Sequence, residues 1–239
     1  MKPTPTPESL REYAREVRRN GGKGMLISGG LNSRGKLPFD RFLGAIREVK
    51  DMGFFISVHT GLVNRDDAAN LKEAGVDMAD FELYLNDDVI RKVKGLEADR
   101  TSYLESLDYL LEEDIMVAPH VTLGIPGDDV EWLDDLKFVV REKGLDRVVV
   151  LIFIPTPGTP FWGSPLPDVE ELNSQISEIS KFVKVSLGCM RPPRIKKLLD
   201  KEVLDKVDRI ANPHSSLNLR IVDACCSIPD NILKDFTGP

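Results

Sequence analysis

Along the chain the spacing of apolar positions switches repeatedly between a period near two residues and one near 3.6. Short runs at 24–28, 54–59, 76–83, 115–123, 148–154, 184–188 and 207–211 are rich in aliphatic and β-branched residues and predict seven strands. Helical spacing fills the intervals at 38–52, 65–74, 101–113, 128–143, 168–183 and 195–206, with a shorter helix at 87–92. In the first of these, Phe39, Phe42, Leu43, Ile46 and Val49 share one face. An opening helix precedes the first strand. It starts with Thr6 as N-cap, Pro7 at the first helical position and Glu8 in the first turn, and it stops at Asn20, Gly21 and Gly22. The run 148–154 is the most hydrophobic, as a strand covered on both faces requires.

A helix-length segment separates every strand from the next, and strict alternation of this kind implies parallel strands joined by right-handed crossovers. An open sheet or a barrel would satisfy the pattern. Seven strands plus one missing at the front is the barrel count, so the expected fold class is α/β, a TIM-type (β/α) barrel incomplete at its N-terminus. No Pro/Ser-rich linker divides the chain, which predicts a single barrel domain over 1–223 with a tail at 224–239. An incomplete ring leaves flanking strands open, so a homodimer or a partner subunit at that edge is expected.

Composition narrows the function classes. With 41% apolar and 30% charged residues, the 239-residue chain has enough apolar material for a core. A net charge of −7 argues against nucleic-acid binding, which needs a basic surface, and against attachment to anionic membranes. No apolar run is long enough for a membrane span, and the first twenty residues lack a secretory core. The three cysteines, Cys189, Cys225 and Cys226, are too few for a disulfide framework, so a cytoplasmic protein with reduced thiols is expected.

In parallel β/α folds ligands bind at the carboxyl ends of strands. Those ends carry Ser28, Gly29 and Gly30; His59, Thr60 and Gly61; Glu82; His120 and Thr122 through Gly127; Pro155 through Pro160; and Gly188 through Arg191. Glycine pairs such as Gly29-Gly30 let backbone groups approach a ligand closely, although a simple turn needs them as well. His59 and Thr60 point to opposite faces, so at most one of them lines an interior. Trp132 and Trp162 are expected to pack.

Taken in order, these segments resemble the radical S-adenosylmethionine superfamily, in its biotin-synthase-related branch, over about residues 3–227. The resemblance implies a small-molecule substrate and two cofactors, S-adenosylmethionine and a 4Fe–4S cluster. In that family a 5′-deoxyadenosyl radical abstracts hydrogen from the substrate. It also implies roles at matching positions. Ser28, Gly29 and Gly30 would hold the methionine amino group. Glu82 would lie near the ribose or substrate, and Arg100, followed by Thr101, would meet the methionine carboxylate. Thr122, Gly124 and Ile125 would pack on adenine. His59, Thr60 and Pro155 complete the expected cofactor-binding set, while Cys189 and Arg191 would meet the substrate or an auxiliary cofactor. The departure is the CxxxCxxC signature, whose thiolates ligate the cluster and which does not occur in this chain. The chain as it stands is therefore expected to be inactive in radical generation. Two other classes stay open: a non-catalytic S-adenosylmethionine-binding or partner subunit, and a metal-dependent barrel lyase or hydrolase using His59, His120 and Glu82.

Overall fold

A computed structural model describes residues 2–236; Met1 and residues 237–239, the end of the expected tail, lie outside the described residues. Seven strands hydrogen-bond in sequence order, β1 Gly24–Ile27, β2 Phe55–Val58, β3 Met78–Glu82, β4 Met116–Leu123, β5 Arg147–Ile152, β6 Lys184–Leu187 and β7 Arg209–Ile210. The registers of β1 with β2, β2 with β3, β4 with β5, β5 with β6 and β6 with β7 are all parallel. The helices are α1 Pro7–Arg19, α2 Leu43–Asp51, α3 Arg65–Glu73, α4 Arg100–Glu112, α5 Trp132–Glu142, α6 Val169–Ser180, α7 Pro193–Glu202 and α8 Asp230–Phe236.

Local chemistry explains where the helices begin. Thr6 accepts from the Ser9 amide while Ser9 returns a bond to the Thr6 amide, closing a capping box ahead of Pro7. Asn64 with Asp67 and Asp99 with Ser102 repeat the device at α3 and α4. Each satisfies amide donors that a helix start otherwise leaves open, and such a cap is worth roughly 1 kcal/mol.

The chain divides into two compact units, Met1–Glu82 with Ile90–Val117, and Leu83–Val89 with Ala118–Pro239. In the first, Ile56, Val58, Met78 and Phe81 of β2 and β3 are buried with Ile46 and Val49 of α2 and Leu107 and Leu110 of α4. Phe81 also meets the Tyr103 ring at 6.1 Å, and full burial of a side chain this size contributes about 2–3 kcal/mol. In the second, Val148, Val149, Val150 and Ile152 of β5 are buried with Ile176 and Ile179 of α6 and Leu199 of α7.

Several expected elements differ, among them the helix expected at 38–52, which begins as a 3-10 turn, Asp40–Phe42, before α2. The helix expected at 87–92 forms as a π-helix, Val89–Val93. The helix expected from 128 begins only at Trp132, because Asp128 instead accepts from the Trp132 indole and the Asn86 amide, both at 2.9 Å. Of the tail expected at 224–239, a part folds as α8 and is tied to strand starts of its own unit. Arg147 and Lys184 both reach Asp230, at 2.9 and 2.6 Å, and Ser186 donates to the Cys226 carbonyl at 2.8 Å. Ion pairs across such sequence separations leave no periodic trace. No helix among the described residues is long and apolar enough to cross a membrane.

Candidate functional site

The tips of β1, β2 and β3 belong to the first unit. After β1 the chain runs through Ser28, Gly29 and Gly30 into a loop that docks back on the end of β2. Leu37 N–H donates to the Thr60 carbonyl and Leu62 N–H to the Gly35 carbonyl, both at 2.9 Å. Lys36, which forms an antiparallel bridge with Gly61, reaches Asp67 at 2.6 Å and Asp40 at 3.0 Å. Burial works against the charged lysine, but the two carboxylates outweigh it and raise its pKa above the ordinary value. The loop carrying Gly29 and Gly30 is thus fixed to the fold a few residues downstream. At Gly30 an added Cβ would meet nothing within 4 Å, so this stretch of backbone borders open space.

At the tip of β2 the two candidates part. Thr60 is fully buried, its hydroxyl donating to the Gly61 carbonyl at 2.9 Å. The expected cofactor contact by this side chain therefore meets a hydroxyl turned into the core. His59 keeps 41% of its side chain exposed, with Nδ1 at 3.4 Å from Ser28 Oγ and Nε2 at 3.9 Å from Asp80 Oδ2. Ser28, His59 and Asp80 thereby form a row across three adjacent strands. Glu82 ends β3 and accepts from Lys94 Nζ at 2.8 Å. Arg100 is the first residue of α4 and half-buried. Its neighbour Asp99 has its carboxyl held below the ordinary range, first by the Ser102 backbone amide. Sequence reasoning named Ser28, His59 and Glu82 but missed Lys94, whose position is reached through an irregular helix, and gave Asp80 no role.

The second unit holds the remaining candidates. Thr122 is half-buried near the end of β4 and Ile125 is buried. A Cβ on Gly124 would press on Pro167, so this glycine permits a close approach within the protein itself. A cleft lined by Leu83, Asn86, Thr122, Asp128 and Trp132 has a volume of about 10 Å³, at most room for one water. Pro155 is half-buried, Cys189 is exposed and Trp162, expected to pack, is 63% exposed. His120 Nδ1 donates to the Ala118 carbonyl at 2.9 Å.

Arg191 stands differently from its expected substrate-facing role. Its guanidinium is fully buried and its Nε lies 2.9 Å from Asp200 Oδ1. The same group donates to the carbonyls of Gly188, Ala211 and Asn212, the last two at 2.7 and 3.2 Å. A fork so engaged ties the end of β6 to the chain after β7.

A cavity of about 220 Å³ lies in the first unit between α1 and β1, against Leu10, Tyr13, Val17, Gly24, Met25 and Ser28. It flanks β1 rather than the strand tips, and it is below the roughly 300–1,000 Å³ usual for a small-molecule site.

Parallel strands in sequence order, separated by helices and ending in polar tips, several of which carry glycine, define a protein of the (β/α) barrel class. Solved structures agree on that fold. A methylornithine synthase, PylB, superposes with a TM-score of 0.64 at 15% identity, covering 94% of this chain and 66% of that one. The FeFe-hydrogenase maturase HydG from Carboxydothermus hydrogenoformans gives 0.61 at 16%, covering 95% and 57%. The sequence model of the Radical SAM superfamily matches residues 2–139, and the chain belongs to that superfamily. It is 25% identical over 174 residues to a biotin synthase of Pelotomaculum thermopropionicum, covering 71% of this chain and 53% of the relative. It is 28% identical over 156 residues to the FeFe hydrogenase maturase subunit HydE of Thermotoga maritima, covering 65% and 44%. The chain thus spans about half the length of these curated relatives.

S-adenosylmethionine and a 4Fe–4S cluster are the cofactors of the family. The first unit offers features that fit the former: open space at Gly30, two residues beyond Ser28, whose hydroxyl lies 3.4 Å from the His59 ring, suits the approach of a polar ligand to backbone. The cluster is not fitted by this chain's own cysteines. None has the CxxxCxxC spacing, and Cys225 and Cys226 are adjacent and therefore poor as two corners of one cluster.

Proposed function

We propose that the tips of β1–β3 bind the methionine and ribose portions of S-adenosylmethionine. In this reading Ser28, Gly29 and Gly30 take the amino group, with His59 beside them. Glu82 accepts from the ribose and Arg100 meets the carboxylate. A small molecule is the substrate class, and the cytoplasm is the compartment we propose. One observation carries the reading: the backbone at Gly30 borders open space while its own loop is pinned to the end of β2, with Leu37 packed against Gly29.

The protein's part in family chemistry is to bind, orient and exclude water. Since its own cysteines do not fit the cluster, no radical step is assigned to this chain alone, and binding without cleavage is the expected behaviour. Calorimetric titration of the iron-free chain with S-adenosylmethionine tests it. Saturable binding is expected in the parent and a substantial loss in Gly30→Ala; a parent that does not bind defeats the reading.

We further propose that β1, which ends the strand order and exposes 40% of Leu26, pairs with a partner strand, most simply that of a second copy. Sedimentation velocity should then give a dimer that dissociates in Leu26→Lys. A parent that stays monomeric at high protein concentration counts against pairing.

A further inference from the structure

The bond between Lys94 and Glu82 joins the last residue of β3 to a residue reached through the π-helix Val89–Val93. A π-turn inserts an extra residue and re-aims the side chains that follow, which is why such turns recur at functional sites. Directly after Lys94, Gly95 adopts φ +65°, a conformation that turns the chain and suits glycine. Leu96 follows, and its N–H bonds back to the Ile90 carbonyl at 3.2 Å. Leu96 also leans on the loop after β1: a Cβ on Gly35 would lie 2.9 Å from Leu96 Cδ1 and 3.3 Å from Leu62 Cδ1. Lys94 therefore rides on a short strap anchored to the π-helix on one side and to the Gly29-Gly30 loop on the other.

The pair is partly exposed, 25% for the lysine side chain and 37% for the glutamate. Ion pairs in such settings add little to stability. What the pair does do is directional. Lys94 holds Oε2, which fixes the plane of the carboxylate and leaves Oε1 to accept from a ligand.

We propose that Lys94 is a positioning residue for the recognition of a vicinal diol: through Glu82 it selects a nucleoside ligand with an intact ribose over one lacking the hydroxyls. The inference rests on the reading of the β1–β3 tips as an S-adenosylmethionine site, and it adds a specificity device to that site. Neither the amino group nor the carboxylate of the ligand is involved, so the effect is confined to the sugar.

The experiment titrates the full chain with S-adenosylmethionine and with its 2′,3′-dideoxy analogue, in the parent and in Lys94→Met, Lys94→Arg and Glu82→Gln. A hydrogen bond to a charged group gives a preference for the diol of about tenfold or more in the parent. Lys94→Met should lose most of that preference with melting temperature unchanged, Lys94→Arg should restore it, and Glu82→Gln should match Lys94→Met. The double variant should be no worse than either single change, because the two residues act as one unit. A parent that binds both ligands equally, or a Lys94→Met protein that keeps the preference, overturns the role of Lys94 and leaves the binding site standing. A parent that binds neither ligand overturns both. If Lys94→Met misfolds, Glu82→Gln with an unchanged diol preference is equally decisive against the proposal.

Discussion

Two glycines at the same strand tips should respond to one added methyl group in opposite ways. Gly61 has φ +63°, and a Cβ built there falls onto the Gly35 carbonyl oxygen and within 2.9 Å of Leu31 Cδ2. The left-handed conformation costs a residue with a Cβ roughly 1–2 kcal/mol. The collision displaces the backbone that accepts from Leu62 N–H at 2.9 Å, and a lost backbone bond costs about 1 kcal/mol. Gly61→Ala should therefore destabilise the protein by about 3 kcal/mol, or about 6–12 °C in melting temperature for a chain of this size. Gly30 lies outside the positive-φ set and its Cβ would meet nothing, so Gly30→Ala should stay within about 0.5 kcal/mol of the parent. Calorimetric melting supplies the stabilities and titration with S-adenosylmethionine the affinities. Gly30→Ala should lose ligand with its fold intact; Gly61→Ala should lose stability first. A Gly61→Ala protein as stable as the parent would refute the docked-loop geometry. A Gly30→Ala protein that binds as well as the parent would refute the close approach of ligand to backbone.

Two further outcomes follow from the second unit. Asp200→Asn leaves the buried Arg191 guanidinium without its counter-charge and alters the acceptor of His214 N–H, so the denaturation midpoint should fall by the equivalent of roughly 3–5 kcal/mol. An apolar replacement of both Arg191 and Asp200 should cost far less. Acid should loosen the C-terminal segment. The Asp230 carboxyl is held below the ordinary range, foremost by its hydrogen bond from Lys184, with the charges of Arg147 and Arg209 adding to the effect. Since the folded value is the depressed one, its contribution is complete above the ordinary aspartate range and disappears as pH falls through the folded value. Asp230 is half-exposed, so the change is local: protection of the α8 amides, relative to their intrinsic exchange rate at each pH, should fall at low pH before that of the strands, and protection in α8 that does not change with pH would contradict it.

The sequence by itself determined the order of strands and helices, their parallel sense and the polar character of the strand tips. Those features follow from local periodicity and from short-range chemistry, as at Thr6, whose hydroxyl and Ser9 are three residues apart. It also carried the family, through the succession of its glycine-bearing tips. Tertiary structure decided what each tip residue is free to do. Alternation predicts that His59 and Thr60 face opposite ways but does not say which way is inward; the packing of the first unit buries Thr60. Arg191 reads as an available cation until its buried partner Asp200, nine residues on, comes into view. Lys94 meets Glu82 only because a π-turn, which apolar spacing does not encode, redirects the chain. Charge pairing acts through space, and only the folded backbone fixes which charges are close enough to pair.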